Sequence, residues 1–464
     1  MEKDQEDFRD KIATVNEQGK RTWIFPKKVK GRFFNYRQVV AYSLLAFLFL
    51  APHLKVNGHQ FLLFNLLERK FVLFGKVFWP QDMWMIALLM ISGVVFVVFF
   101  TIIFGRLFCG WVCPQTIFME MVFRRIEYWI EGDASHQRKL DKQPWNGEKI
   151  RKKSLKYTVF YLISFAISNT FLAYIIGADR LWEIQTDPFQ EHIGGFFSIV
   201  LFSAVFMFVF SYLREQVCTS ICPYGRLQGV LLDQNSMVVA YDYKRGESRA
   251  KFKKGEVRSE ANKGDCIDCH QCVDVCPTGI DIRNGTQLEC VNCTACIDVC
   301  DHMMEGVGLE KGLIRFVSEN GIKEKKRFEW TNRVKAYSLL LVLIFGGFCM
   351  ALILQSDLQV TLLRIRGTSF LVQDGTIKNL YEIHLQNKSQ DTIKIDFRVQ
   401  DPSIEIKSST RKVILSPEGA FKNQLVLQMP LNQMSAEKEI VPIEVLANGE
   451  VKHIVEAKFI GPLK

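Results

Sequence analysis

Five long apolar runs constrain this chain more than any other feature of its sequence. A helix needs roughly 20 mostly apolar residues to cross a bilayer. The sequence predicts five such spans, at about 38–56, 85–104, 157–177, 195–213 and 335–355. Between the first two, residues 61–79 are apolar but interrupted by charge, which favours an interfacial helix or a hairpin over a sixth span. We therefore expect a membrane protein with an α-helical transmembrane bundle.

The basic residues alternate between the connections. Lys and Arg number ten in residues 1–37, eleven in 105–156 and eighteen in 214–334, but four in 55–84 and one in 178–194. Positive charge marks the cytoplasmic side of a membrane protein. The counts predict a multi-pass bacterial inner-membrane protein with a cytoplasmic N-terminal tail and a periplasmic C-terminal segment. They also explain the net charge of +10 without nucleic acid as a partner, because the charges flank membrane lipid.

The last hundred residues, 356–464, contain no cysteine and form short apolar runs separated by turn residues. Seven or eight such strands over about 100 residues predict an all-β immunoglobulin-like sandwich. The Cys–Trp–Cys signature of antibody domains is missing from this segment, so the prediction depends on the number of strands. Since the segment offers no group of reactive side chains, we expect a docking or stabilising module.

Twelve of the 13 cysteines fall into four tight groups, and two of these groups are the strongest chemical signal in the chain. They have the spacing Cys-x2-Cys-x2-Cys-x3-Cys, over residues 266–276 and again over 290–300. This is the spacing of bacterial two-cluster ferredoxins, in which the fourth cysteine of each run binds the other 4Fe–4S cluster. That resemblance implies two ligand sets, namely Cys266, Cys269, Cys272 and Cys300 for cluster one and Cys290, Cys293, Cys296 and Cys276 for cluster two.

A pair of zinc ribbons is the alternative for these runs. Zinc ribbons need only one or two Cys-x2-Cys pairs, and the remaining cysteines would then be unexplained. One departure from ferredoxins is Asp301, which stands where a proline often follows the fourth cysteine. We predict a ferredoxin-like domain at about 258–306, inserted in the cytoplasmic segment 214–334. It follows a tail at 1–37 and a bundle at 38–213.

The other two groups are copies of one short motif, and each copy follows a predicted span that ends on the cytoplasmic side. The copies are Cys109-x3-Cys113-Pro114 and Cys218-x3-Cys222-Pro223. Because they lie at equivalent depths, we expect the four thiols to meet in the folded bundle. The proline favours the first turn of a new helix, and a helix N-terminus lowers the pKa of a thiol. We therefore expect thiolates at this site.

Four soft ligands at the membrane surface suit Cu(I), a further cluster or a redox-active dithiol. Buried structural cysteines are the alternative, but two copies with identical spacing favour a functional site. Cys349 stands alone in the fifth predicted span. The sequence contains no Gly-rich dinucleotide motif and no Walker A motif, so no nucleotide site is expected.

Three further stretches support a resemblance to a known family. They are FCGWVCPQT at 108–116, CPYGRLQG at 222–229 and IEYWIEGDASHQRKLD at 126–141. Together with the two-cluster insert, the last span and the β-sandwich, they resemble the FixG/CcoG family. Its members are accessory proteins for cytochrome c oxidase of the cbb(3) type. The resemblance extends from about residue 20 to the end of the chain.

The resemblance implies a function. The protein would reduce Cu(II) to Cu(I) for the assembling oxidase, with electrons passing through the two 4Fe–4S clusters. Cys109, Cys113, Cys218 and Cys222 would be the copper or redox site. The implied partners are oxidase assembly factors or a copper chaperone or transporter, together with an electron donor that the sequence does not identify.

Two other functions fit parts of the sequence. A quinol-dehydrogenase-like membrane ferredoxin that feeds a periplasmic reductase resembles residues 85–300, yet such proteins usually end near the ferredoxin. A non-catalytic assembly scaffold would keep its clusters for structure only. Loss of cluster cysteines would favour the scaffold, and all eight are present.

Overall fold

The computed structural model describes residues 14–462, with gaps at residues 17, 57, 67–69, 189, 259, 326–328, 355, 357, 366, 368, 374, 390, 409–412, 418 and 434–437. The chain divides into two compact units, Met1–Phe348 and Cys349–Lys464. The first unit contains the four cysteine motifs, and the second contains the C-terminal strands.

Five helices in the described part of the chain are long and apolar enough to cross a membrane. They are Arg32–His53, Met83–Phe104, Gly147–Ile176, Ile193–Leu213 and Asn332–Leu354. The number of spans predicted from the sequence is thereby confirmed. The third helix begins ten residues before the predicted span, because its first turns are basic and continue the helix beyond the apolar run.

The first span also begins before the predicted position. Its α-helix runs over Arg32–Leu50 and ends in a 3-10 turn, Ala51–His53, instead of occupying 38–56. It begins early because the carboxylate of Asp298 accepts hydrogen bonds from the N–H groups of Phe33 and Phe34, at 3.0 and 2.7 Å. A carboxylate at a helix N-terminus satisfies free N–H groups and favours the helix dipole. The cap comes from the second cysteine run, far away in the sequence.

The segment between the first two spans forms small sheets. β1 (Lys55–Val56) pairs with β2 (His59–Gln60). β3 (Leu62–Asn65), β4 (Lys70–Leu73) and β5 (Lys76–Phe78) form a three-stranded antiparallel sheet. Of the two structures expected for residues 61–79, the hairpin is therefore the correct one.

Short helices connect the spans. They are Pro80–Asp82 (3-10), Leu107–Trp111, Pro114–Ile117, Arg124–Ile130, Ala134–Lys142, Ala178–Thr186 and Pro223–Leu231. Three π-helical turns interrupt the α-helical pattern at Phe118–Phe123, Val209–Leu213 and Val217–Ile221. Such turns occur frequently at functional sites. Here all three lie within or beside the two Cys-x3-Cys-Pro motifs.

The ferredoxin-like region is closed by two strands that pair antiparallel, β6 (Val238–Tyr241) and β7 (Ile314–Val317). Its helices are Tyr243–Gly246, Gln271–Asp274, Ile282–Asn284 (3-10), Ala295–Gly306 and Glu319–Lys323. Side chains of both strands pack in one core with Cys266, Cys272 and Cys300. The domain is therefore wider than the predicted 258–306, because these flanking strands cover the cysteine loops.

The second unit is an all-β sandwich. Its described strands are β8 (Leu358–Arg364), β9 (Leu371–Gln373), β10 (Thr376–Asn387), β11 (Ile393–Val399), β12 (Glu405–Ser408), β13 (Val413–Leu415), β14 (Ala420–Pro430), β15 (Lys438–Ala447) and β16 (Glu450–Ile460). One sheet has the order β12-β14-β10-β8, with β9 beside β10, and the other has the order β13-β11-β15-β16. All strand pairs are antiparallel.

Alternation along the strands builds the core of the sandwich. Every second residue of β10 is buried, as expected for a strand with one face toward a core. Ile377 of β10 and Leu427 of β14 pack with Phe459 of β16, which belongs to the opposite sheet. The hydroxyl of Tyr381 also crosses the core and donates to the carbonyl of Lys458 at 2.7 Å.

Candidate functional site

The two cysteine runs pack together, so that thiols of each run lie near thiols of the other. Cys300 lies close enough to Cys266, Cys269 and Cys272 for their charges to raise its pKa. The pKa of Cys296, raised chiefly by burial, is raised further by Cys293, Cys290, Cys276 and Cys272. Cys300 of the second run thus lies near cysteines of the first run, and Cys276 and Cys272 of the first run lie near Cys296 of the second. This proximity is compatible with the crossed ligand sets of a two-cluster ferredoxin, which stay a prediction.

The backbone of the runs has the same unusual conformation at matching positions. Asp268 and His270 in the first run, and Asn292 and Thr294 in the second, have φ angles between 52° and 65°. Residues other than glycine rarely adopt this left-handed conformation. Successive left- and right-handed residues turn backbone N–H groups toward one point, and such concavities bind anions, including iron–sulfur sites.

The surroundings of the thiols fit a bound cluster. One cavity is lined by five of the eight cysteines, namely Cys272, Cys276, Cys290, Cys293 and Cys296. Burial raises the pKa of Cys272, Cys290 and Cys300 to about 12, so these thiols stay protonated unless a cation compensates their charge. Iron supplies that positive charge, as it does in other Cys-ligated clusters. The residues present therefore match the chemistry of two 4Fe–4S clusters.

The two Cys-x3-Cys-Pro motifs also come together. The charges of Cys113 and Cys222 act on Cys109, and those of Cys113, Cys109 and Cys222 act on Cys218. Cys109 is buried, the other three are partly buried, and all four are free thiols. The four side chains predicted to meet are thus neighbours.

The expected thiolate character is wrong for two of these cysteines, Cys109 and Cys218. Burial raises the pKa of Cys109 to about 11 and that of Cys218 to about 12, although Arg106 lowers the first. Each proline does begin a helix, at Pro114 and at Pro223. Loss of water around the sulfurs outweighs the effect of these helix ends. Cys109 and Cys218 will therefore ionise only with a cationic group beside them.

Two polar side chains that the sequence did not single out hold Cys109 in place. The thiol of Cys109 donates to Oε1 of Gln228 at 3.0 Å, and Nε of Arg106 donates to the same oxygen at 3.1 Å. The charge of Arg106 also acts on Cys290 in the ferredoxin-like region. The only sequence signal for Gln228 was its place in the stretch 222–229. Arg106 thus lies close both to the tetracysteine group, defined as Cys109, Cys113, Cys218 and Cys222, and to the second cysteine run.

Gly110 allows the first Cys-x3-Cys-Pro motif to touch the second cysteine run directly. A Cβ on Gly110 would lie 2.4 Å from the carbonyl oxygen of Val291 and 2.9 Å from Cα of Cys293. Nε of Arg37 donates to the carbonyl of Gly110 at 2.7 Å. The tetracysteine group and the predicted second cluster are therefore adjacent, with backbone contact and no intervening side chain at Gly110.

A buried ion network holds the two motifs in register. Arg214, which directly follows the fourth span, bonds both carboxylate oxygens of Glu127 at 2.6 and 2.9 Å. Lys156 lies 3.6 Å from the same carboxylate, and Arg124 lies 3.8 Å from Glu215. Burial opposes the ionisation of Glu127, but the charges of Arg214 and Lys156 outweigh it and lower its pKa. The network links the helix after Cys113 to the segment before Cys218.

Three protein-family models match parts of the chain that contain these elements. Residues 213–319 match the family model of a 4Fe-4S dicluster domain, and residues 86–135 match that of a 4Fe-4S binding domain. Residues 348–462 match the IG-like fold at the C-terminus of FixG. The first two matches together contain all twelve clustered cysteines.

Proteins of similar length match nearly the whole chain. Protein RdxB of Cereibacter sphaeroides is 32% identical over 90% of this chain and 88% of its own length. Protein RdxA of the same organism is 33% identical, over 83% and 85%. The nitrogen fixation protein FixG of Rhizobium meliloti is 31% identical, over 82% and 80%.

The helices, the cysteine groups and the domain matches define a membrane-embedded iron–sulfur protein with 4Fe–4S sites and an immunoglobulin-like C-terminal domain. The identity to each of the three relatives exceeds 30% over at least 80% of this chain and of the relative. The chain belongs to the FixG-like family.

Proposed function

We propose that this protein reduces Cu(II) to Cu(I) at the cytoplasmic face of a bacterial inner membrane and thereby supplies copper for the assembly of a cytochrome c oxidase. The observation that supports this most directly is the backbone contact between Gly110 and Cys293. It brings the tetracysteine group beside the second predicted cluster.

The chemistry of the group suits the product. Each Cu(II) takes up one electron, and the Cu(I) that forms prefers soft sulfur ligands. Cys109 and Cys218, whose raised pKa values keep them protonated without a metal, can bind Cu(I) as they lose protons. The 4Fe–4S clusters, when bound, supply single electrons. Gln228 and Arg106 position Cys109, and the Glu127–Arg214 pair positions the second motif beside the first.

The counts of Lys and Arg support an orientation with the ferredoxin-like region in the cytoplasm and residues 356–464 in the periplasm. In that orientation the copper-handling thiols lie on the cytoplasmic side. The partners that we propose are oxidase assembly factors or a copper chaperone or transporter, and the β-sandwich offers a rigid surface for docking.

The test is a single-turnover reaction without oxygen. Protein with reduced clusters is mixed with Cu(II), cluster bleaching is followed by absorbance, and Cu(I) is followed with a chelator. We expect one Cu(I) for each electron lost. The variant Cys109/Cys113/Cys218/Cys222→Ala should react more slowly with its clusters intact, whereas Cys349→Ala should match the wild type. Equal rates for all three proteins would refute the copper site.

A third 4Fe–4S cluster is a second candidate for the tetracysteine group. It is favoured by the 4Fe-4S binding domain model, whose match at 86–135 contains Cys109 and Cys113. Iron analysis separates the two candidates. With a third cluster, the wild type carries one cluster's iron more than the four-cysteine variant. If the group binds copper only, the two proteins carry equal iron.

A further inference from the structure

A cavity of about 400 Å³ opens beside the second predicted cluster, and neither the cysteines nor the copper chemistry accounts for it. Its floor includes Val275 and Pro277, on either side of Cys276, and Ala295, next to Cys296. A molecule in this cavity would lie within van der Waals reach of residues flanking two predicted ligands of one cluster. That is a position for an electron donor or acceptor.

The walls of the cavity suit a flat apolar ring. Phe34, Tyr128 and Trp129 contribute aromatic surface. The hydroxyl of Tyr128 is held by the carbonyl of Pro26 at 2.9 Å, which fixes the orientation of its ring. Trp129 is 77% exposed although it is a large apolar side chain. A volume of this size is typical of small-molecule sites, which are mostly apolar with a few polar groups.

The charge of the cavity is strongly positive. Lys28, Lys30, Arg37 and Arg125 line it, whereas Glu120 is its only acidic group among the described residues. Glu120 already pairs with Arg124 at 3.1 Å. The surplus of cations favours a ligand that is anionic or that becomes anionic as it loses protons.

The position of the cavity indicates how its ligand arrives. Phe34 and Arg37 belong to the first two turns of the first span, Arg32–Leu50, so the cavity lies where the chain enters the membrane. A molecule dissolved in the lipid reaches this level without crossing the protein. A nucleotide is disfavoured, because the sequence contains no Gly-rich phosphate-binding motif.

We propose that this cavity binds the headgroup of a membrane quinol that donates electrons to the ferredoxin-like region. A quinol is a flat apolar ring that becomes anionic on deprotonation, and it resides in the bilayer. Oxidation to the quinone breaks two O–H bonds and releases two electrons and two protons. Two bound 4Fe–4S clusters would take one electron each, and the protons would leave to water. This proposal deepens the proposed function by naming the donor, and its test omits copper.

The first measurement is binding to the full-length protein in lipid nanodiscs. A photoreactive azidoquinone is cross-linked, and the labelled peptides are identified by mass spectrometry. We expect labels on the peptides that contain Phe34 and Trp129. The variants Trp129→Leu and Arg125→Gln should reduce labelling by about tenfold, the loss expected for one aromatic or charged contact. Trp145→Leu is the matched control, since Trp145 is 74% exposed and lies outside the cavity.

The second measurement is anaerobic reduction of the clusters by a short-chain quinol, followed by absorbance and electron paramagnetic resonance. We expect two electrons per quinol, and rates about tenfold lower in the two cavity variants than in the control. Labelling elsewhere, no cluster reduction, or cavity variants equal to Trp145→Leu would overturn the proposal. Displacement of the label by anionic phospholipid, with no cluster reduction, would assign the cavity to a lipid headgroup. Failure of Cu(II) reduction alone would leave the quinol site standing.

Discussion

Replacing Gly110 with alanine is the sharpest test of the contact between the first Cys-x3-Cys motif and the ferredoxin-like region. The added Cβ would lie 2.4 Å from the carbonyl oxygen of Val291 and 3.0 Å from the backbone nitrogen of Cys293. Both contacts are with backbone atoms, which cannot swing aside as the end of a long side chain can. The substitution therefore forces the two loops apart.

These distances set the size of the effects on stability and on reaction rate. Ordinary contacts begin at 3.4 Å, so the loops must separate by about 1 Å. Overpacking of this kind costs about 1–3 kcal/mol of folding free energy. The same shift moves Cys109 and Cys113 away from Cys293, and misplacements of about 1 Å can lower a reaction rate by up to about 100-fold. We expect lower stability and slower Cu(II) reduction together.

The assay compares Gly110→Ala with Gly306→Ala. A Cβ on Gly306, in the helix of the second cysteine run, would meet no atom within 4 Å. Thermal unfolding in detergent is followed through the cluster absorbance, and the single-turnover rate with Cu(II) is measured on the same samples. If Gly110→Ala matches Gly306→Ala in both measurements, the inferred contact is incorrect.

Three further predictions concern the ferredoxin ligands, the ion network and the sandwich. Cys300→Ser and Cys276→Ser should each perturb a different cluster. Electron paramagnetic resonance spectra of the reduced proteins will distinguish the two clusters. Glu127→Gln should cost about 3–5 kcal/mol, because it leaves Arg214 buried without a full countercharge. Since the pKa of Glu127 is lowered, this stabilisation is present at neutral pH and is lost as the pH falls through the lowered value. Tyr381→Phe should cost about 1 kcal/mol by removing the hydrogen bond to the carbonyl of Lys458 in the opposite sheet, as measured by denaturant unfolding.

Each of these predictions has a clear contrary result. Identical spectra for the two serine variants would contradict the crossed ligand sets. A Glu127→Gln protein as stable as the wild type at neutral pH would show that the network does not hold the two motifs. Denaturation of Tyr381→Phe at the wild-type midpoint would mean that the cross-sheet hydrogen bond adds nothing.

Local patterns in the sequence were sufficient for the elements that depend on spacing and hydropathy. The five spans follow from the cost of placing polar groups in lipid, and the sandwich strands follow from alternation such as that of β10. Local patterns did not predict the early start of the first span, because its cap, Asp298, lies more than 250 residues away in the sequence. The prediction of thiolates was wrong for Cys109 and Cys218, because their pKa values are raised by burial, which is a property of the folded protein.

The sequence by itself determined which residues carry the chemistry. The cysteine spacing specified the candidate ligands, and the repeated motif specified four thiols at one depth. Only the tertiary structure decided how these groups are placed. It brings about the backbone contact at Gly110, the position of Arg106 near both sites, and the cationic cavity beside Cys276. The physical reason is that the spacing of residues along the chain fixes their geometry only within a single turn or loop. Distances between sites depend on how helices and loops that are far apart in the chain pack together.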